Sequence, residues 1–108
     1  MQNHPPEFKP EIILGGGILH INRMEYTVTY KGREIMLSTK ELLTLYCLAE
    51  HPGWVLRKED IYLKVWGDSR GDTPFRTVEN TICKLRKKLD PQIIVTIRYE
   101  GYKLNLKK

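Results

Sequence analysis

The side chains best suited to chemistry in this sequence are polar and cationic groups that recur along one segment near residue 80. Asn80, Lys84 and Lys87 follow one another at intervals of four and three residues, which places them on one face of a helix. Lysine can donate to guanine O6 or N7, and asparagine can pair with adenine through two hydrogen bonds. The pattern predicts a helix face that reads the major groove of DNA; from the residues alone, an ordinary solvated face is an equal alternative.

The same segment carries an apolar stripe opposite these side chains. Val78, Ile82, Leu85 and Leu89 are spaced by four, three and four residues, so they cluster within about 60° of arc on a helix. Such a stripe packs against a core, which leaves the polar face directed outward. A helix over about residues 76–89 would be roughly 20 Å long, enough to present side chains to several base pairs.

The net charge of +5 is concentrated in the last third of the chain. Residues 76–108 contain nine basic and three acidic side chains, a net charge of +6, whereas residues 1–75 contain nine basic and ten acidic ones, a net charge of −1. This asymmetry is typical of a surface that binds a polyanion. A basic tail that only improves solubility is the alternative.

Other chemistries lack the residue patterns that they require. Cys47 and Cys83 lie 36 positions apart without a CxxC motif, so we expect neither a disulfide nor a zinc site. Residues 15–17 are three glycines without the Lys and Ser/Thr that complete a phosphate-binding loop. We predict no enzymatic activity, no metal and no cofactor. Cys83 beside lysines leaves redox sensing as a minor alternative.

The hydrophobic segments are too short to span a membrane. The longest, residues 12–19, contains three glycines and follows a Pro-rich start instead of a basic region. It is therefore predicted to be neither a membrane span nor a signal peptide. The cysteine pattern favours a reducing compartment, so we expect a cytoplasmic protein.

Hydrophobic periodicity predicts one α+β domain over residues 12–108, preceded by a linker or flexible tail over residues 1–11. The tail contains three prolines and few apolar residues, a composition typical of linkers. Apolar residues then alternate with polar ones between Leu19 and Leu37. This alternation predicts a small antiparallel β-meander near the N-terminus.

Two helices are predicted to follow the meander. Ser38 and Glu41 match a capping box, and the helix that they open ends at residues 51–53, which read His-Pro-Gly. A second helix is predicted from about Lys58 to Trp66, with glycine after it as a stop.

A β-hairpin is predicted after the third helix. Asp90-Pro91 ends that helix, and residues 93–106 contain two runs of β-branched or alternating apolar residues. The turn between the runs falls on Arg98, Tyr99 and Glu100, so these side chains are expected at the hairpin tip.

Seven short pieces of the chain together resemble a known family. They are LSTKELL (37–43), HPGWVL (51–56), VWG (65–67), RTVE (76–79), KLRKKL (84–89), IVTIR (94–98) and GY (101–102). In this order and spacing they resemble the OmpR/PhoB-type winged-helix effector domains, the C-terminal DNA-binding domains of bacterial response regulators. The resemblance covers about residues 12–107.

The resemblance implies a winged helix-turn-helix fold with an N-terminal β-meander, three helices and a C-terminal hairpin wing. The third helix would enter the major groove and the wing a neighbouring minor groove. The positions expected to read bases are Glu79, Asn80, Lys84 and Arg98. The positions expected to bind phosphate are Trp66, Arg76, Thr81, Thr96 and Tyr102, to which the basic run adds Arg86 and Lys87.

The resemblance also implies partners. The loop expected to contact RNA polymerase consists of Gly67, Asp68, Ser69, Arg70, Gly71, Asp72 and Thr73. Two copies would bind direct repeats in promoter DNA as a tandem dimer. A receiver domain outside this chain would control occupancy by raising the local concentration.

Two residues depart from the family pattern. Tyr99 stands where the wing usually carries glycine, so the wing turn is expected to differ. Arg57 stands where serine or threonine normally caps the second helix, so this helix should lack a side-chain cap.

The alternative function is a winged-helix module that docks proteins and does not bind DNA, since one fold can serve several functions. A docking surface should expose apolar anchors on the third helix and the wing, where this sequence has mainly Asn, Lys and Arg. RNA binding is a third option, less favoured because no aromatic stacking platform is evident.

Overall fold

The structure, a computed structural model, describes residues 10–67 and 74–106. Its N-terminal part is an antiparallel sheet whose strands follow chain order: β1 (Glu11–Leu14), β2 (Leu19–Asn22), β3 (Thr27–Tyr30) and β4 (Arg33–Glu34). Ile12, Ile21 and Val28 pair across three strands and are buried, because alternate side chains of a strand share one face. The predicted meander is present, with its apolar face on the core.

The meander differs from the prediction at both ends. Gly15, Gly16 and Gly17 form a 3-10 turn with φ of 63°, 67° and 105°, angles that glycine adopts readily. This turn reverses the chain, so Glu11, the last residue of the predicted linker, begins an additional strand. At the other end, residues 35–37 lie outside the two-residue strand β4, although the amide of Ile35 still donates to the carbonyl of Val28 on β3 at 2.8 Å.

The first helix, α1 (Thr39–Glu50), begins at the predicted capping box. The Glu41 amide donates to Ser38 Oγ at 3.2 Å, and the Ser38 amide donates to Glu41 Oε1 at 2.9 Å. Lys88 Nζ lies 2.7 Å from the same Oε1 and so connects the end of the third helix to the start of α1. The apolar face of α1 is buried, at Leu42, Leu45, Tyr46 and Ala49.

Two further helices, α2 (Lys58–Trp66) and α3 (Pro74–Lys88), pack against each other and against α1. The bounds of α2 are those predicted, whereas α3 begins two residues earlier and ends one residue earlier than the predicted 76–89. Arg57 occupies the N-cap of α2 without a side-chain cap hydrogen bond. The apolar stripe of α3 faces the core, where Val78, Ile82 and Leu85 are buried.

The C-terminal hairpin consists of β5 (Ile94–Ile97) and β6 (Gly101–Leu104). The link between α1 and α2 adds a backbone bridge to it, since Leu56 and Tyr102 exchange amide-to-carbonyl hydrogen bonds of 2.8 and 2.9 Å. Gly101 permits this close approach, because a Cβ there would collide with the carbonyl of Leu56. The sheet, three helices and hairpin confirm the predicted α+β architecture.

Candidate nucleic-acid interface

The outer face of α3 presents the side chains that the sequence assigns to base reading. Asn80 and Lys84 are exposed and stand about one helical turn apart, opposite the buried stripe. One turn rises about 5.4 Å, so the two side chains can reach different base pairs. Arg76 and Lys87, assigned to phosphate, are exposed as well. This face of α3 therefore offers amide and cationic groups to solvent along most of its length.

Glu79, the third residue of α3 assigned to base reading, forms an ion pair with α2. Its Oε2 lies 2.7 Å from Nζ of Lys58. The hydrogen bond with Glu79 raises the pKa of Lys58 against the opposing effect of burial. About half of the Glu79 side chain (49%) is still exposed. The pairing of Lys58 with Glu79 could not be predicted from the sequence, because no spacing rule connects residues on two separate helices.

Arg86 is directed toward the hairpin. Its Nε and Nη2 donate to the carbonyl of Ile94 at 3.0 and 2.7 Å, and Nη2 also donates to Thr96 Oγ1 at 2.8 Å. The guanidinium carbon lies 5.8 Å from the centroid of the Tyr102 ring. Arg86 and Thr96, both assigned to phosphate, therefore contact each other and hold α3 against β5.

The other residues assigned to phosphate are partly or fully buried. Thr81 is buried, and its hydroxyl donates to the carbonyl of Thr77 at 2.9 Å. Tyr102 is buried, and burial raises the pKa of its hydroxyl. Trp66 is half-buried and stacks on Tyr62 with ring centroids 5.5 Å apart. Thr81, Tyr102 and Trp66 thus all have packing roles, and a phosphate could meet only their accessible atoms.

The hairpin tip places Arg98 and Tyr99 in solvent, as predicted from the sequence. The amide of Glu100 donates to the carbonyl of Ile97 at 2.9 Å and closes the turn. Tyr99 has a φ of 67°, a left-handed conformation that glycine adopts at lower cost. Tyr99 is 91% exposed, and the guanidinium carbon of Arg98 lies 5.2 Å from the centroid of its ring. The turn therefore forms without the family's usual glycine and carries an aromatic ring beside the arginine.

Most of the loop assigned to RNA polymerase lies outside the described residues: Asp68, Ser69, Arg70, Gly71, Asp72 and Thr73. Gly67 is described and ends α2 with a φ of 79°. Its amide donates to the carbonyl of Leu63 at 3.0 Å.

Among residues 10–67 and 74–106, no group of three or more His, Cys, Asp or Glu side chains could hold a metal ion. None of the described helices is both long enough and apolar enough to cross a bilayer. The two cysteines differ, since burial raises the pKa of Cys47 to about 11 while Cys83 is exposed on α3.

Known proteins share both sequence and fold with this chain. The family model described as "Transcriptional regulatory protein, C terminal" matches residues 32–104. Response regulator RR06 of Streptococcus pneumoniae serotype 2 is 42% identical over 81 residues, which make up 75% of this chain and 37% of that protein. The chain therefore spans little more than a third of the length of this curated relative.

Two solved structures have similar folds, each with a TM-score of 0.76. The response regulator DrrB, a Thermotoga maritima OmpR/PhoB homolog, is 32% identical; the match covers 91% of this chain and 45% of DrrB. The Klebsiella pneumoniae RstA DNA-binding domain, solved in complex with the RstA box, is 30% identical; the match covers 89% of this chain and 97% of that domain.

Proposed function

Since this chain belongs to the family of C-terminal domains of transcriptional regulatory proteins and is an OmpR/PhoB-type response-regulator output domain, we propose that it binds double-stranded DNA sequence-specifically. The observation that carries the proposal is α3, whose buried stripe fixes it on the core while Asn80 and Lys84 face solvent. The RstA domain, of similar fold, was solved bound to the RstA box, which supports DNA binding by this domain.

Base reading is assigned to α3 in the major groove. Lys84 would donate to guanine O6 or N7, and Asn80 would pair with adenine through N6 and N7. Glu79 would accept from the N4 amino group of cytosine. Each residue therefore has a preferred base, so the proposal can be tested by the DNA sequence that the domain selects.

Minor-groove contact is assigned to the hairpin. Arg98 stands at the exposed tip, and a narrow A·T-rich minor groove attracts a guanidinium through its enhanced negative potential. Arg86 contributes indirectly, since its hydrogen bonds to Ile94 and Thr96 hold the hairpin in place relative to α3.

Phosphate contacts are assigned first to Arg76 and Lys87, because both are exposed on α3. Each neutralised phosphate releases counterions and makes binding weaker as salt increases. Trp66, Thr81, Thr96 and Tyr102 would add contacts through the atoms that packing leaves accessible.

The wider role proposed for the protein is that of a cytoplasmic transcription regulator without enzymatic activity. We propose that a receiver domain accompanies this output domain, that two copies bind direct repeats in a promoter, and that residues 67–73 contact RNA polymerase. The relationship to RR06 and DrrB, both response regulators, supports the receiver domain, and the direct repeats and the polymerase contact are proposed from the resemblance to OmpR/PhoB-type domains.

Selection from a random duplex pool tests the central proposal. The domain should enrich one motif over several rounds, and its affinity for that motif should fall steeply between about 50 and 200 mM salt. Lys84→Ala should lose the preference at one base pair. Arg33→Ala removes the same charge from an exposed position on β4 and should keep the preference. No enrichment together with no salt-dependent binding would overturn DNA binding.

The alternative function, protein docking, is favoured by one observation. Two exposed aromatic residues, Phe75 and Tyr99, line a cavity of about 170 Å³ between the start of α3 and the hairpin. Exposed aromatic side chains are typical anchors of protein interfaces. If the selection finds no DNA motif, Phe75→Ser and Tyr99→Ser variants should be compared with the wild type for binding to RNA polymerase and to a second copy of the chain.

A further inference from the structure

We propose that Lys58 is a positioning residue that sets the base preference of α3 by holding the Glu79 carboxylate. This inference rests on the proposed DNA binding. It extends the predicted interface to the first residue of α2, which the sequence pattern did not assign to any role.

Lys58 occupies a junction of three elements. Its Nζ lies 2.7 Å from Glu79 Oε2 on α3, 5.8 Å from the centroid of the Phe75 ring at the start of α3 and 5.9 Å from that of Tyr102 on β6. Only 30% of the Lys58 side chain is exposed. Because two rings and a carboxylate surround the ammonium group, its position is restricted more than that of an ordinary surface lysine.

The geometry leaves one oxygen of Glu79 available for recognition. Lys58 binds Oε2, and a carboxylate has a second oxygen with its own lone pairs. Glu79 Oε1 can therefore accept from a cytosine amino group while Oε2 is held. Fixing one oxygen restricts the rotation of the side chain, so that the second oxygen is directed at one place along the groove.

The ion pair also reduces the repulsion between the Glu79 carboxylate and DNA. A free carboxylate on a DNA-reading helix would be repelled by the phosphates on either side of the groove. With Lys58 bound, the pair has no net charge. The second carboxylate oxygen can then accept a hydrogen bond from a base with less repulsion from the phosphates. Lys58 therefore allows an acidic residue to serve on a surface that binds a polyanion.

A direct phosphate contact by Lys58 predicts a different result. Losing a phosphate contact weakens binding to all sequences alike and lowers the salt dependence by about one unit of slope. Losing a positioning residue changes the preference at the base pair that Glu79 reads and leaves the other positions as they were. The two roles can therefore be separated by measuring the preference base pair by base pair.

The experiment measures the DNA-binding affinity of three variants of the whole chain: Lys58→Met, Lys58→Arg and Glu79→Gln. Each is titrated with the selected site and with every single-base change of that site, at two salt concentrations. Lys58→Met keeps most of the apolar stem and removes the charge, and it should reduce the preference at one base pair about fivefold or more. Lys58→Arg should restore most of that preference, since arginine can also bind the carboxylate. Lys58→Met should have no further effect on preference in the Glu79→Gln background, because the two residues act as one unit.

A matched control is available on the same helix. Lys64 also pairs with a glutamate of another helix, with Nζ 3.7 Å from Glu50 Oε1, and Lys64→Met removes the same charge. This variant should keep the base preference, and thermal unfolding should show that all variants are folded at the assay temperature.

The outcomes separate the inference from the function on which it rests. If the wild type selects a motif but Lys58→Met weakens every sequence equally or changes nothing, the positioning role is wrong and DNA binding stands. An additive loss of preference in the double variant would likewise overturn it. If the wild type selects no motif, both proposals fail.

Discussion

The guanidinium of Arg86 donates to the hydroxyl of Thr96 at 2.8 Å and to the carbonyl of Ile94 at 2.7 Å. One side chain of α3 thus holds the hairpin at two points. Arg86 and Lys87 belong to the same basic run, but the fold places them in different environments: Arg86 is half-buried and Lys87 is exposed. The two neighbouring cations therefore differ: Arg86 contacts the hairpin, and Lys87 is exposed to solvent.

Replacing Arg86 should destabilise the domain and loosen the hairpin. Arg86→Met removes charge-assisted hydrogen bonds and should lower the free energy of unfolding by about 2 kcal/mol, measured by urea denaturation. Lys87→Met is the matched control, expected to leave stability nearly unchanged and to weaken DNA binding with a smaller salt slope. Equal stability of the two variants would contradict the structural role of Arg86.

Gly101→Ala should be far more damaging than the same change at another glycine. The new Cβ would collide with the backbone of Leu56, so the bridge between Leu56 and Tyr102 must open. We expect a loss of about 3 kcal/mol or more in thermal or urea unfolding. Gly32→Ala has open space around it and a φ of 81°, so only backbone strain of about 1 kcal/mol should remain. Similar losses for the two variants would show that the close approach at Gly101 is unimportant.

The two cysteines should react at different rates in the folded protein. Burial raises the pKa of Cys47 to about 11, and only the thiolate is nucleophilic. Cys83 is exposed, so iodoacetamide at pH 8 should alkylate Cys83 first, as mass spectrometry of the peptides would show. Because Cys83 lies on the outer face of α3, its alkylation should weaken DNA binding. Faster labelling of Cys47 in the native state would contradict this arrangement.

The charge of Glu41 should contribute stability that disappears in acid. Burial opposes ionisation, but hydrogen bonds from Lys88 and from the Ser38 amide leave the pKa of Glu41 below its ordinary value of 4.5. A lowered pKa in the folded state means that the contribution is complete above about pH 4.5 and is lost as the pH falls through the lower folded value.

Glu41→Gln tests this pH dependence while preserving the capping box, since glutamine can also fill that position. At pH 7 the variant should be less stable than the wild type by about 1 kcal/mol. The difference should shrink when urea unfolding is repeated at pH values below 4.5. A difference that stays constant from pH 7 to pH 3 would show that ionisation of Glu41 does not contribute.

Patterns among residues close in sequence were sufficient to predict the helices. The capping box at Ser38 and Glu41, the glycine after α2 and the 4-3-4 spacing of the α3 stripe involve neighbours in sequence, and the structure confirms each of them. The resemblance to OmpR/PhoB-type effector domains, taken from short pieces in a particular order, is confirmed by the family match over residues 32–104. The assignment of individual residues to bases and phosphates stays a prediction.

The strand β1 shows where local patterns were insufficient. Residues 11–14 are too few to show a clear alternation, and three glycines follow them. Only the reversal at those glycines brings the segment beside β2. Since strand pairing depends on a partner elsewhere in the chain, it could not be read from the segment itself.

The sequence alone was enough to identify which faces of the helices are polar and which are apolar, because the 3.6-residue period places those side chains by geometry. Only the tertiary structure could decide which polar side chains are available for binding and which are engaged in contacts. Lys58 with Glu79 and Arg86 with Thr96 are pairs between separate elements. Such pairs depend on how the elements pack, and the packing is set by the core that all of them share.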